Sequence, residues 1–68
     1  MVADKIGHNL RKLRESHGLT LSEFADIIGL SSSTISLIEN GKRQLTVANL
    51  KRICKEFHIK ADKILFGE

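Results

Sequence analysis

An all-α bundle of five short helices is the fold this sequence predicts, and three observations predict it. Apolar residues recur at i, i+3, i+4 and i+7, and no segment alternates with period two. The 68 residues include no proline, tyrosine or tryptophan, so the interior must come from Leu, Ile, Val, Ala and three Phe. That palette favours helices over short paired strands. Cap residues and glycines also punctuate the chain at intervals that suit short helices with tight connections.

Ile6, Leu10 and Leu13 mark the inner stripe of a first helix, at roughly 4–17. Asp4 suits its N-cap, and Gly18 suits a left-handed position just past its end. Thr20-Leu21-Ser22-Glu23 reads T-x-x-E, a capping box for a second helix at about 21–28 with Phe24, Ala25 and Ile28 facing inward. Gly29 breaks that helix. Ser31 caps a third at about 32–40, with Ile35 and Ile38 inside and Asn40-Gly41 at its end. Thr46 caps a fourth helix, in which Val47, Leu50, Ile53, Cys54 and Phe57 follow a 3.6 period while Lys51, Arg52, Lys55 and Glu56 lie outside. A last short helix, about 61–66, presents Ile64, Leu65 and Phe66, with Lys60 where Ser or Asp is expected. Val47 and Leu65 are expected in the core, and Phe66 at an interface.

The length predicts a single domain over residues 1–68. A chain this short buries only about 60% of its unfolded surface, so a partner copy is an expected source of stability. Cys54 is the only cysteine, which excludes an internal disulfide and suits a reducing, cytoplasmic setting. The N-terminus lacks the apolar stretch of a secretory signal, and no apolar run approaches the ~20 residues that span a bilayer. The net charge is +3 but unevenly spread: residues 42–63 hold seven basic side chains against Glu56 and Asp62, and Lys5, Arg11, Lys12 and Arg14 lie on the first helix. This balance suits a polyanionic partner as well as a solvated face.

The informative stretch is LSEFADIIGLSSSTISLIEN, residues 21–40. Two helices that meet near a right angle across a short turn need a small residue at the crossing, a residue tolerant of positive φ in the turn, and apolar facing positions. Ala25, Gly29 and Ile35 fill those roles, and Phe24, Ile28, Leu30 and Ile38 surround them. The pattern is a helix-turn-helix.

From about Ile6 to Leu65 the sequence resembles the phage-repressor family, the Cro and lambda-repressor-like (XRE-type) helix-turn-helix proteins. GLTLSEFADIIGLSSSTISLIENGKRQLTVANLKRI follows that family's run of second helix, turn, recognition helix and loop. The resemblance implies a five-helix lambda-repressor-like domain, a double-stranded DNA partner, and a homodimer on half-sites about one helical turn apart. It implies a sequence-specific transcriptional regulator, a repressor of a palindromic operator, that needs no cofactor. With Ile35 and Ile38 inside, the third helix turns Ser32, Ser33, Ser36, Leu37 and Asn40 outward. By resemblance Ser32, Ser33 and Leu37 stand at base-reading positions, with Ser36 on the same face. Gln and Arg are common there in the family, and Leu21 replaces a common Gln. Hydroxyls discriminate bases less than amides or guanidiniums do, and Leu37 offers only apolar contact, so DNA shape and water bridges gain weight. Phosphate contacts are expected from the amides near Leu21, from Thr20, Ser22, Thr34, Asn40 and the Gly41 backbone, and from Lys42 and Arg43. The family's pattern also implies an ion pair between Arg14 and Glu39 that orients the recognition helix.

Other chemistries are poorly served. Cys54 and His58 stand at i, i+4, but Cys54 lies on a core stripe and no further metal ligand is apparent. His8 and His17 read as surface residues of the first helix. Ser31-Ser32-Ser33-Thr34 has no activating base and no Gly-x-Ser-x-Gly elbow, which speaks against an enzyme. The rival reading is a protein-interaction module of the same fold, such as an antitoxin, kept open by the serine-rich outer face of the third helix.

Overall fold

The computed structural model describes residues 2–67, with side chains from Lys5 onward. Five helices follow one another: α1 (Val2–Ser16), α2 (Leu21–Ile28), α3 (Ser32–Glu39), α4 (Val47–Phe57) and α5 (Ala61–Phe66). The all-α expectation holds. α1 begins before the expected cap, so Asp4 lies inside its first turn, and the Asp4 side chain is outside the described residues.

Local chemistry sets the helix starts. The Thr20 hydroxyl accepts from the Glu23 N–H at 3.1 Å, and the Glu23 carboxylate accepts from the Thr20 N–H at 2.8 Å, a complete capping box. Ser31 and Thr46 accept the N–H groups of Thr34 and Asn49, both at 3.1 Å. Lys60 makes no side-chain cap bond, so α5 depends on what it packs against. There, Ile64 is fully buried, and the Asn9 amide of α1 donates to the Ile64 carbonyl at 2.9 Å.

The helix ends share one device. Leu19, Leu30, Lys42 and Ile59 each donate a backbone N–H to the carbonyl five residues back, closing α1 to α4 in turn. The residue before each donor is left-handed: three are glycines, and the fourth is His58 at φ 54°. Leu19, Leu30 and Ile59 then fold onto the core, whereas Lys42 is exposed and leads the chain out beyond α3.

The core is Leu10, Leu13, Phe24, Ala25, Ile28, Ile35, Ile38, Ile53 and Ile64, so every helix contributes. Fully burying side chains of this size is worth about 1.5–3 kcal/mol each. Phe57 stacks on Phe24 with centroids 5.4 Å apart, and the exposed His17 ring lies 4.8 Å from Phe57, centroid to centroid.

Val47 is a correction. Expected in the core, it is 69% exposed. At ~100° per residue it lies about 120° round α4 from fully buried Ile53, on the flank of the stripe and in the first turn. Leu65 is only half-buried, and Phe66 is 60% exposed. Among the described residues no single helix is long and apolar enough to cross a membrane.

Candidate nucleic-acid interface

The chain turns through 104° between the axes of α2 and α3. Ala25, 2% exposed, has no side chain beyond Cβ to hold the helices apart, and Ile35 of α3 is fully buried. Gly29 makes the turn at φ 83° and ψ 30°, a region that costs a residue with a Cβ roughly 1–2 kcal/mol. Arg52 of α4 covers this turn, its guanidinium 3.3 Å from where a Gly29 Cβ would stand. The three roles read from the twenty-residue motif are those the residues occupy.

Burying Ile35 and Ile38 turns one face of α3 outward. Ser33, Leu37 and Asn40 are exposed, Leu37 by 40%. Ser32, Thr34 and Ser36 are half-buried beside them. Three of these side chains, Thr34, Ser36 and Asn40, are held by local bonds. The Thr34 and Ser31 hydroxyls lie 2.8 Å apart within the cap, and the Asn40 amide donates to the Ser36 carbonyl at 2.8 Å. Asn40 thus caps the end of α3, and the same amide nitrogen also donates to the Ser36 hydroxyl at 3.4 Å.

At the start of α2, Thr20 and Ser22 are exposed, but the Leu21 side chain is half-buried against the core. Leu21 can therefore offer an anion its backbone N–H and little else. Glu23 places a carboxylate at the same helix end and engages the Thr20 N–H, which reduces the positive potential expected there. Lys42 and Arg43 are exposed beyond Gly41, and among the described residues neither meets a carboxylate within 4.0 Å. The cationic character of this edge comes from that loop.

Arg14 and Glu39 form a two-pronged pair. Nε donates to Oε2 at 2.8 Å and Nη2 to Oε1 at 3.1 Å, while Nη1 donates to the Leu19 carbonyl at 2.7 Å. The side chains are 11% and 4% exposed, so this is a nearly buried pair. The hydrogen bond to Glu39 raises the Arg14 pKa above its ordinary value, against the lowering effect of desolvation. Glu39 is the only acid within α3, and it is turned inward and neutralised, so the outward face carries no negative charge.

Three contacts were not legible in the sequence: Gly7 on the end of α3, Arg52 on the Gly29 turn and Asn9 on α5. Gly7 is buried in α1 against the last carbonyls of α3, and its lone signal was a glycine inside a helical pattern. Asn9 and Arg52 carried no signal, because each acts on a segment remote in sequence. Cys54 is half-buried and His58 exposed, and no group of three potential metal ligands forms among the described residues.

The helix-turn-helix family HTH_3 matches residues 10–64. The chain is 39% identical over 54 residues to the antitoxin PezA of Streptococcus pneumoniae, covering 79% of this chain and 34% of PezA. It is 34% identical over 64 residues to the transcriptional repressor RghR of Bacillus subtilis, covering 93% of this chain and 47% of RghR. It thus spans between a third and a half of the length of these relatives. The crystal structure of the restriction-modification controller protein C.AhdI from Aeromonas hydrophila superposes with a TM-score of 0.83 at 27% identity, covering 91% of this chain and 94% of that one. With the fold, the motif and the family match in agreement, the chain belongs to the helix-turn-helix family of DNA-binding transcription regulators, of the Cro and lambda-repressor (XRE) type.

Proposed function

We propose that the chain is a sequence-specific repressor that binds a palindromic operator as a homodimer, with α3 in the major groove and α2 across the phosphate backbone. The observation that carries this reading is the outer face of α3: hydroxyls and one leucine, free of acid because Arg14 holds Glu39 inside, and followed by exposed Lys42 and Arg43. Ser32, Ser33, Ser36 and Leu37 read base edges, Leu37 against a thymine methyl. The Leu21 and Gly41 amides, Thr20, Ser22, Thr34, Asn40, Lys42 and Arg43 hold phosphates and set register. Exposed Phe66 supports pairing of two copies, which doubles the contact set on half-sites about 34–36 Å apart.

Selection of bound duplexes from random DNA, followed by footprinting, tests the proposal. The expected result is a palindrome with both half-sites protected. If a dimer neutralises about eight phosphates, log K falls against log salt with a slope near −7. Enrichment of no sequence, or an affinity indifferent to salt, overturns it. The likeness to PezA, an antitoxin, favours one second reading, a module that binds another protein. A chain that selects no DNA site yet co-purifies in fixed stoichiometry with one heterologous protein supports that reading instead.

A further inference from the structure

Gly7 lies in the interior of α1, where glycine is less favourable than alanine and has no local turn to serve. Its surroundings explain it. A Cβ there would stand 2.7 Å from the Glu39 carbonyl oxygen and 2.9 Å from the Glu39 carbonyl carbon, and would overlap the Ile38 carbonyl oxygen. All three atoms are backbone and belong to the last turn of α3, so no side-chain rotation can relieve the contact. Instead, a Gly7 Cα hydrogen faces those carbonyls, the arrangement of weak Cα–H···O contacts between closely packed helices. Arg14, seven residues further along α1, grips the carboxylate of the same Glu39. α1 therefore holds the end of α3 at two points, one on the backbone and one on the side chain.

We infer that Gly7 is a positioning residue for DNA recognition, setting the seat of the recognition helix against the helix that carries it. The inference rests on the DNA-binding reading above. A methyl group at residue 7 forces α1 and α3 apart by a displacement on the order of 1 Å, beyond the ~0.5 Å within which a binding constellation has to be held. The base-reading face then moves relative to the phosphate-gripping start of α2. Specific affinity suffers, whereas the attraction of Lys42 and Arg43 for any duplex does not depend on that alignment.

The test compares the chain with Gly7→Ala, each with and without His58→Gly, a substitution at the end of α4 that is expected to add stability. Folding is followed by circular dichroism, and affinity is measured on the selected duplex and on a scrambled one. For Gly7→Ala, the expected loss on the selected duplex is about 10–100-fold, the cost of one or two mismatched base pairs. On the scrambled duplex the expected change is less than about threefold, with the salt slope retained. Three results overturn the inference: unchanged specific affinity, parallel losses on both duplexes, or a protein that does not fold. The parent chain separates the two claims, because its failure to select any duplex defeats the DNA-binding reading itself.

Discussion

Replacing Glu39 with glutamine probes the anchorage of α3 while nearly preserving shape. The carboxylate it removes is 4% exposed and accepts two charge-assisted bonds from Arg14. Breaking such a pair while leaving the cation enclosed costs about 3–5 kcal/mol in a fully buried setting. Here the guanidinium retains 11% exposure and its 2.7 Å bond to the Leu19 carbonyl, which moderates the loss to about 2–3 kcal/mol. In a domain of this size that lowers Tm by roughly 10–20 °C. Arg11–Glu15 supplies the control: at 3.4 Å and with both side chains more than half exposed, its loss through Glu15→Gln costs no more than about 0.5 kcal/mol. Urea unfolding of both variants, together with Arg14→Met/Glu39→Leu, completes the assay. The double variant should recover all but about 1 kcal/mol, the remainder being the orphaned Leu19 carbonyl. If Glu39→Gln costs as little as Glu15→Gln, the reasoning from burial is wrong. The pH dependence carries its own sign. A guanidinium whose pKa is raised on folding contributes fully below its ordinary range, and the contribution is lost only as pH rises through the raised value. Arg14 therefore adds no slope to stability between about pH 6 and 10.

Other predictions follow from single observations. His58→Gly replaces the one left-handed residue with a Cβ among the described residues, and should raise stability by about 0.5–1 kcal/mol after glycine's greater unfolded-state entropy is counted. A fall in the urea midpoint would refute the attribution to backbone strain. On the selected operator, Arg43→Ala should weaken binding to every duplex alike and reduce the magnitude of the salt slope by about 1. Leu37→Ala should leave that slope intact and relax choice at one base pair by about 1 kcal/mol, read by competition among operators mutated one position at a time.

Much of this fold was legible because its signals are local. Thr20 with Glu23, Ser31 and Thr46 announce helix starts within four residues of sequence, and glycines stand at four of the five left-handed ends among the described residues. His58 went unannounced since a histidine rarely takes that conformation, and the chain closes there by tertiary demand on Ile59. Val47 misled because periodicity gives the direction of a stripe but not its width. At the interface, the outward face of α3 followed from the inward one, while the Arg14–Glu39 pair came from resemblance alone. What no pattern disclosed was contact across the sequence: Gly7 on α3, Asn9 on α5 and Arg52 on the Gly29 turn.

The two ends of α3 are held very differently, and this bears on how such a domain acquires a new target sequence. At the far end, Gly7 meets the backbone, Arg14 binds Glu39, Asn40 caps Ser36, and Gly41 turns the chain toward Lys42 and Arg43. At the near end, the Ser31 cap and its bond to Thr34 are local, and neither Ser32 nor Ser33 makes a side-chain bond among the described residues. Substitution of exposed Ser33 thus breaks no bond that positions the helix, whereas substitutions in its last turn act on the clamp. A glutamine or arginine at 33 can form bidentate base contacts that serine cannot, each worth about 1–3 kcal/mol of discrimination. If α3 reads DNA as proposed, anchoring its last turn firmly is what leaves position 33 free to change the sequence read without loss of fold.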